Sequence, residues 1–104
     1  MYRDGKGVPQ DYAAAASWFR MSADRGNREA QMVLGLMYSN GEGVPQDYVA
    51  AHMWFNLSGA GGYTDAPQWR DAVAAKMTPA QIAEAQRLAR EWKASGSPAT
   101  GGER

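Results

Sequence analysis

A segment of 26 residues occurs twice in this chain, and that repetition constrains the fold more than any other feature of the sequence. Residues 1–26 align with residues 37–62 at an offset of 36, and fifteen of the 26 aligned positions are identical. The run Gly-Val-Pro-Gln-Asp-Tyr is intact in both copies. A period of this length with helical patterning is typical of helix–turn–helix repeats, in which stacked units bury one continuous core.

The first half of the complete unit has the spacing of a helix. Ala30, Leu34 and Tyr38 recur every four residues, so they lie on one face of a helix. Gly41 and Gly43 follow, and glycine tolerates the positive φ that commonly ends a helix. The sequence therefore predicts a helix from about residue 27 to the first of these glycines.

The second half of the unit predicts a helix with a large apolar face. Pro45 keeps the residue before it out of the α region, so the connection is extended. Asp47 can cap the next helix by accepting a hydrogen bond from a backbone N–H of its first turn. This helix is expected to end within Gly59–Gly62, and its counterpart in the first copy near Gly26. The expected core residues are Ala51, Trp54, Phe55 and Ser58 in the second copy and Ala15, Trp18, Phe19 and Ser22 in the first.

After residue 62 the glycine loop is lost, but helical patterning continues. Residues 65–77 predict a first helix, and Thr78 begins a start signal in which Pro79 occupies the first position and Gln81 closes a capping box. The second helix would carry Ile82, Ala85, Ala89 and Trp92 on one face and Glu84, Arg87 and Arg90 on another. Because terminal repeats are atypical, residues 65–93 are predicted to form a C-terminal capping pair. Residues 94–104 are rich in Gly, Ser and Pro, which predicts a disordered tail.

Composition excludes several classes of function. Eleven basic residues balance eleven acidic ones without clustering, so no electrostatic attraction to nucleic acid is expected. No apolar run approaches the roughly 20 residues of a membrane span, so direct membrane insertion is not expected. Without cysteine the chain has no disulfide or thiolate site. The N-terminus lacks a signal-peptide stretch, which leaves the cytoplasm, or the periplasm if an upstream signal was removed.

No residue set predicts an enzyme, a cofactor or a metal site. The Gly-x-Gly-Val runs follow a helix instead of a strand and lack the third glycine of a dinucleotide loop. His52 is the only histidine, its counterpart is Ala16, and it is predicted to be a solvated or half-buried helix residue. Ser22 and Ser58 lack a neighbouring base and are interpreted as packing positions.

These positions together resemble a known repeat family. The residues that carry the resemblance are Ala30, Leu34-Gly35, Tyr38, Gly41-x-Gly43-Val44, Asp47, Ala51, Trp54 and Gly62. Their spacing is similar to that of the Sel-one-like repeat (SLR), a relative of the tetratricopeptide repeat. The resemblance implies a right-handed α/α superhelix of about two and a half units: a partial repeat at 1–26, a full repeat at 27–62 and the capping pair. It also implies a bacterial adaptor that binds proteins.

The resemblance further implies a concave protein-binding groove. Aligning Leu34-Gly35 with the equivalent pair of tetratricopeptide repeats places one set of residues on the concave side, and the offset of 36 places a second set beside it. The first set is Glu29, Met32, Val33, Leu36, Ser39 and Asn40; the second is Asp65, Gln68, Trp69, Ala72 and Lys76. Met32, Leu36 and Trp69 would form an apolar strip, unless some of these side chains pack against the C-terminal helices instead.

Three functional hypotheses follow from these expectations. The first is an adaptor that binds a protein or peptide in the concave groove. The second is a structural segment of a longer array that has no ligand of its own. The third is an enzyme, for which no acid, base and nucleophile set is visible. A separate prediction concerns self-association: the chain begins at the last turn of a first helix, so the face of the helix after Asp11 is expected to lack its usual cover. A homodimer through this open N-terminal end is therefore also predicted.

Overall fold

The computed structural model describes residues 11–93, and within this range the chain forms five α-helices and no strand. The helices are α1 (Tyr12–Asp24), α2 (Arg28–Asn40), α3 (Tyr48–Ala60), α4 (Ala66–Ala74) and α5 (Pro79–Glu91). They form an all-α solenoid in which α1 and α2 pack together and α3 packs against α2, α4 and α5. The predicted start of the first repeat and the predicted tail lie outside the described residues.

Each repeated helix begins with a side-chain cap. Asp11, Asn27 and Asp47 accept hydrogen bonds from the backbone N–H three residues further on, at 2.9, 2.8 and 3.1 Å respectively. Thr78 and Gln81 form the predicted capping box, with bonds of 3.1 and 2.9 Å in the two directions. These bonds satisfy N–H groups that have no partner inside the helix, and they confirm the predictions for Asp47 and Thr78.

The glycine-rich connection from α2 to α3 needs two positive φ angles. Gly41 ends α2 at φ 72°, as predicted, and Gly43 follows at φ 79°. A Cβ atom at Gly43 would collide with the backbone carbonyl of Tyr12. The connection therefore lies directly against the start of α1, and only glycine leaves room for that approach.

Two clusters of buried side chains hold the helices together. The first cluster is Met32, Ala51, Phe55, Ala66 and Val73, which joins α2, α3 and α4. The second cluster is Ala23, Ala30, Leu34 and Trp54, which joins α1, α2 and α3. Trp92, at the C-cap of α5, contacts the second cluster through an edge-on ring pair with Trp54 at 6.2 Å and 75°. Because α3 contributes to both clusters, it is the central helix of the described solenoid.

The fourth helix is shorter than predicted. It ends at Ala74, where the predicted helix ended at residue 77. The N–H groups of Lys76 and Met77 donate to carbonyls three residues back, at 2.9 and 3.0 Å, which tightens the chain into turns. Pro79 then disfavours helical geometry at the residue before it, so α4 and α5 cannot be continuous.

Two predicted environments in α1 and α3 were wrong. Trp18 was assigned to the core, although its helix was also expected to have an uncovered face; 72% of its surface is exposed, because within the described residues no helix packs on that flank of α1. His52 was expected to be solvated or half-buried, but it is only 3% exposed. Its counterpart Ala16 is also buried, at 4%, so this position faces the interior in both copies of the repeat.

Candidate protein-binding surface

The predicted groove residues of α2 form an outward-facing stripe, with one exception. Glu29 and Asn40 are exposed, and Val33 and Leu36 are half-buried between them. These four positions recur every three or four residues, so they lie on one face of the helix. Ser39, beside this stripe, is half-buried, and its backbone carbonyl accepts a bond from the Gln46 side chain at 3.0 Å.

The exception is Met32, which was expected on the concave surface and is 5% exposed in the first cluster. Its side chain packs with Ala66 and Val73 of α4, and Leu36 also packs partly against this cluster. The sequence left open that some residues of the apolar strip pack against the C-terminal helices instead of facing a partner. Met32 is such a residue. The physical reason is that α4 carries small residues on its inner face, which lets the methionine fill the space between the helices.

The predicted residues of α4 and of the turn after it are accessible. Gln68, Trp69 and Ala72 of α4 are exposed, as are Asp65 at the N-cap and Lys76 just beyond the end of the helix. Trp69 leaves 41% of its surface exposed, which is unusual for the largest apolar side chain. The stripes of α2 and α4 flank the first cluster, to which both helices contribute.

Aromatic and charged groups edge this surface. The Lys76 ammonium lies 5.8 Å from the centre of the Tyr48 ring, at the distance of a cation–π contact. Glu29 supplies an opposite charge on α2, so the exposed residues of the two helices together carry both signs. An exposed aromatic side chain surrounded by polar groups is the usual composition of an interaction hot spot.

Comparison with known proteins identifies the family to which this solenoid belongs. The model of the Sel1 repeat matches residues 1–27 and 28–63. The chain belongs to the Sel1 repeat family. A crystal structure with an SLR fold, c5321, a protective antigen present in uropathogenic Escherichia coli strains, is 34% identical and superposes with a TM-score of 0.80. The match covers 86% of this chain and 19% of that chain, and no curated protein matches the sequence.

A second exposed surface lies on α1, the helix whose face was predicted to lack its usual cover. Tyr12, Trp18 and Met21 of α1 are 42%, 72% and 56% exposed. Beside them a cleft of about 510 Å³ lies between α1, α2 and the glycine-rich connection, with Ala13 and Ser17 among its lining residues.

Among the described residues, His52 is a buried titratable group. The buried Nδ1 atom of His52 has no hydrogen-bond partner, and burial followed by the charge of Arg70 lowers the pKa of this imidazole, although Asp71 partly opposes the effect. In residues 11–93 no three or more His, Asp or Glu side chains gather where they could hold a metal ion. None of the five helices is long and apolar enough to cross a membrane.

Proposed function

We propose that this chain is an adaptor module that binds a protein or peptide partner on the surface formed by α2 and α4. Sel1 repeats are in general protein-interaction modules. The observation that carries the proposal for this surface is the exposure of Trp69 on α4, together with the half-buried Leu36 and Val33 on the stripe of α2. Large aromatic side chains in such settings supply much of the binding free energy of protein interfaces.

Met32 is not part of the proposed contact, because its side chain belongs to the core. The proposed contact residues are instead Trp69, Gln68 and Ala72 on α4, Lys76 in the turn after it, and the stripe of Glu29, Val33, Leu36 and Asn40 on α2. This surface is mixed in charge, and the chain has a formal net charge of zero. Raising the salt concentration should therefore weaken partner binding only modestly.

The test uses peptides selected by display against the unmodified chain. Ala72→Glu places a longer charged side chain in the middle of the surface, and Trp69→Ala removes its aromatic group, so both variants should bind the selected peptides at least tenfold more weakly. Ala83→Glu, which introduces the same side chain at an exposed position of α5, is the matched control and should bind normally. Circular dichroism checks that each variant is folded. Selected peptides that bind Ala72→Glu and Trp69→Ala as well as the parent would place the site elsewhere.

The structural-segment hypothesis remains the alternative. It predicts that the isolated chain depends on neighbouring repeats for its stability and that no peptide is selected. Cooperative thermal unfolding of the isolated 104-residue chain, together with selectable peptides, would favour the adaptor. Non-cooperative melting without any selected peptide would favour the structural segment.

A further inference from the structure

The exposed stripes of α2 and α4 consist of equivalent positions in successive units. At the offset of 36 residues, the pairs along the two stripes are Glu29 and Asp65, Val33 and Trp69, Leu36 and Ala72, and Asn40 and Lys76. Because equivalent positions of stacked repeats face the same side of a solenoid, the two stripes form one surface with four successive layers. The first layer carries two carboxylates, the middle two layers are apolar, and the last layer carries an amide and an ammonium group.

Contacts with α3 show where this surface begins. The Arg28 guanidinium donates a hydrogen bond of 3.0 Å to the carbonyl of Gly61, so α2 begins beside the end of α3. The start of α4 lies at the same end of α3, because a Cβ atom at Gly59 would stand 3.6 Å from the ring of Pro67. The two carboxylates of the first layer therefore belong to the same end of the surface.

The opposite ends of the two stripes meet at the start of α3. The Gln46 side chain donates a hydrogen bond of 3.0 Å to the carbonyl of Ser39 and lies 3.5 Å from the Tyr48 hydroxyl. The Lys76 ammonium lies 5.8 Å from the ring of the same tyrosine. Both α2 and α4 are thus antiparallel to α3 and parallel to each other, and Asn40 and Lys76 lie at the end away from the carboxylates.

The two carboxylates of the first layer are exposed, and no described residue pairs with them. Asp65 precedes α4 but does not cap it, whereas the N-cap side chains of the other four described helices accept a backbone hydrogen bond. Among the described residues, neither Glu29 nor Asp65 forms an ion pair. Arg28, the cation next to Glu29 in sequence, is directed to the end of α3. This end of the surface therefore carries negative charge, which attracts a cationic group.

We propose that the surface of α2 and α4 binds a segment of a partner protein that has a basic end, an apolar middle and an acidic end. The inference rests on the proposed function and adds the chemistry of the partner to it. The basic end of the segment lies against Glu29 and Asp65, and its acidic end lies against Lys76. Its apolar residues contact Trp69 and Leu36 in the middle layers.

The length of the surface sets the spacing of charges in this segment. Glu29 and Asn40 are eleven residues apart, which corresponds to about 16 Å along a helix. A partner in extended conformation spans that distance with about five residues. Exposed ion pairs contribute little free energy each, so the apolar contact with Trp69 supplies most of the affinity. The charges determine which segments bind and in which direction they lie.

The experiment selects peptides from a display library of random ten-residue sequences against the 104-residue chain. Selected peptides should carry Arg or Lys at one end and Asp or Glu about five positions away, with apolar residues between. A parallel selection against the double variant Glu29→Lys, Asp65→Lys should instead return peptides that are acidic at both ends. The matched control is the double variant Glu84→Lys, Glu91→Lys, which changes the net charge equally but on exposed positions of α5, and it should select the same peptides as the parent.

The binding of one selected peptide to the three proteins measures the size of the effect. The peptide should bind Glu29→Lys, Asp65→Lys at least tenfold more weakly than the parent and should bind the α5 control normally. Exchanging its basic residues for Glu should restore binding to the first variant, and circular dichroism checks that every variant is folded. Equal losses in both double variants would overturn the inference, because net charge and not position would then decide binding. Selected peptides that lose affinity on Trp69→Ala but show no separation of charges would also overturn it and leave the proposed function in place, whereas a selection that returns no peptide would overturn both.

Discussion

Helices α1 and α3 have nearly the same sequence along one face, yet they occupy different environments. Both begin at an aspartate cap, and both carry Trp-Phe at the same position of the helix. Trp54 is 2% exposed because α5 supplies Trp92 against it and Arg20 of α1 lies 5.7 Å from its ring, whereas Trp18 is 72% exposed. The comparison teaches that in a repeat protein the sequence of one unit determines its helices, while burial depends on the neighbouring units.

The largest expected difference between the two helices concerns their tryptophans. Trp54→Ala removes a fully buried side chain and should lower the free energy of unfolding by about 3–5 kcal/mol. That is a large part of the roughly 5–15 kcal/mol that holds a domain together. Trp18→Ala, the matched control at the equivalent position, should change it by no more than about 0.5 kcal/mol. Urea unfolding measures both, and equal losses would mean that the two faces are equally buried.

A second difference concerns the glycine that α3 requires. Gly35→Ala places a methyl group against the Phe55 ring and should cost about 1–3 kcal/mol, despite the better helix propensity of alanine. Combining it with Phe55→Leu should give a smaller loss than the sum of the two single changes, because the shorter side chain relieves the clash. Strict additivity in a double-mutant cycle would show that Gly35 and Phe55 do not interact.

The same distinction, between features set by a unit's own sequence and features set by neighbouring units, explains how much of this structure the sequence predicted. Local signals were sufficient for the caps at Asp47 and Thr78 and for the end of α2 at Gly41, because each depends on residues within a few positions. The family pattern predicted the solenoid. Environments that depend on a neighbouring helix were predicted less well. Trp18 was assigned both to the core and to a helix with an uncovered face, and it is exposed; Met32 was expected on the surface, and it is buried.

The candidate surface was predicted in part for the same reason. The alignment of Leu34-Gly35 selected Trp69, Ala72 and Lys76, and all three are exposed on α4 or just beyond its end. It could not show that Met32 is buried in the first cluster together with Ala66 and Val73 of α4, since that depends on how α2 and α4 both pack against α3.

Caps, in contrast to tryptophans, should behave alike in the two helices. Asp11→Ala and Asp47→Ala each remove one side-chain acceptor, at 2.9 and 3.1 Å, and each should cost about 1 kcal/mol. Asp→Asn at either position should cost clearly less, because the amide oxygen still accepts the bond. Urea unfolding of the four variants checks this; a loss for Asn as large as that for Ala would indicate a charge interaction in place of a cap.

The smallest expected effect is a pH dependence that α3 has and α1 lacks. Burial lowers the pKa of His52 below its ordinary value of 6.5, so the folded chain binds a proton less readily than the unfolded chain. The stability that follows is fully present above pH 6.5 and is lost as the pH falls below it. His52→Ala reproduces the alanine of α1 and should remove this dependence. Thermal melts at pH 7.5 and 5.5 measure it, and an unchanged dependence in the variant would assign it to other groups.

The unequal burial of the two identical faces can be measured directly on the unmodified chain. A soluble paramagnetic agent broadens the NMR signals of exposed groups, so the indole N–H signals of Trp18 and Trp54 report the exposure of each side chain separately. We expect strong broadening of the Trp18 signal, at least as large as that of Trp69, and little broadening of the Trp54 signal. Equal protection of Trp18 and Trp54 would contradict the account, because the face of α1 would then be covered as fully as that of α3.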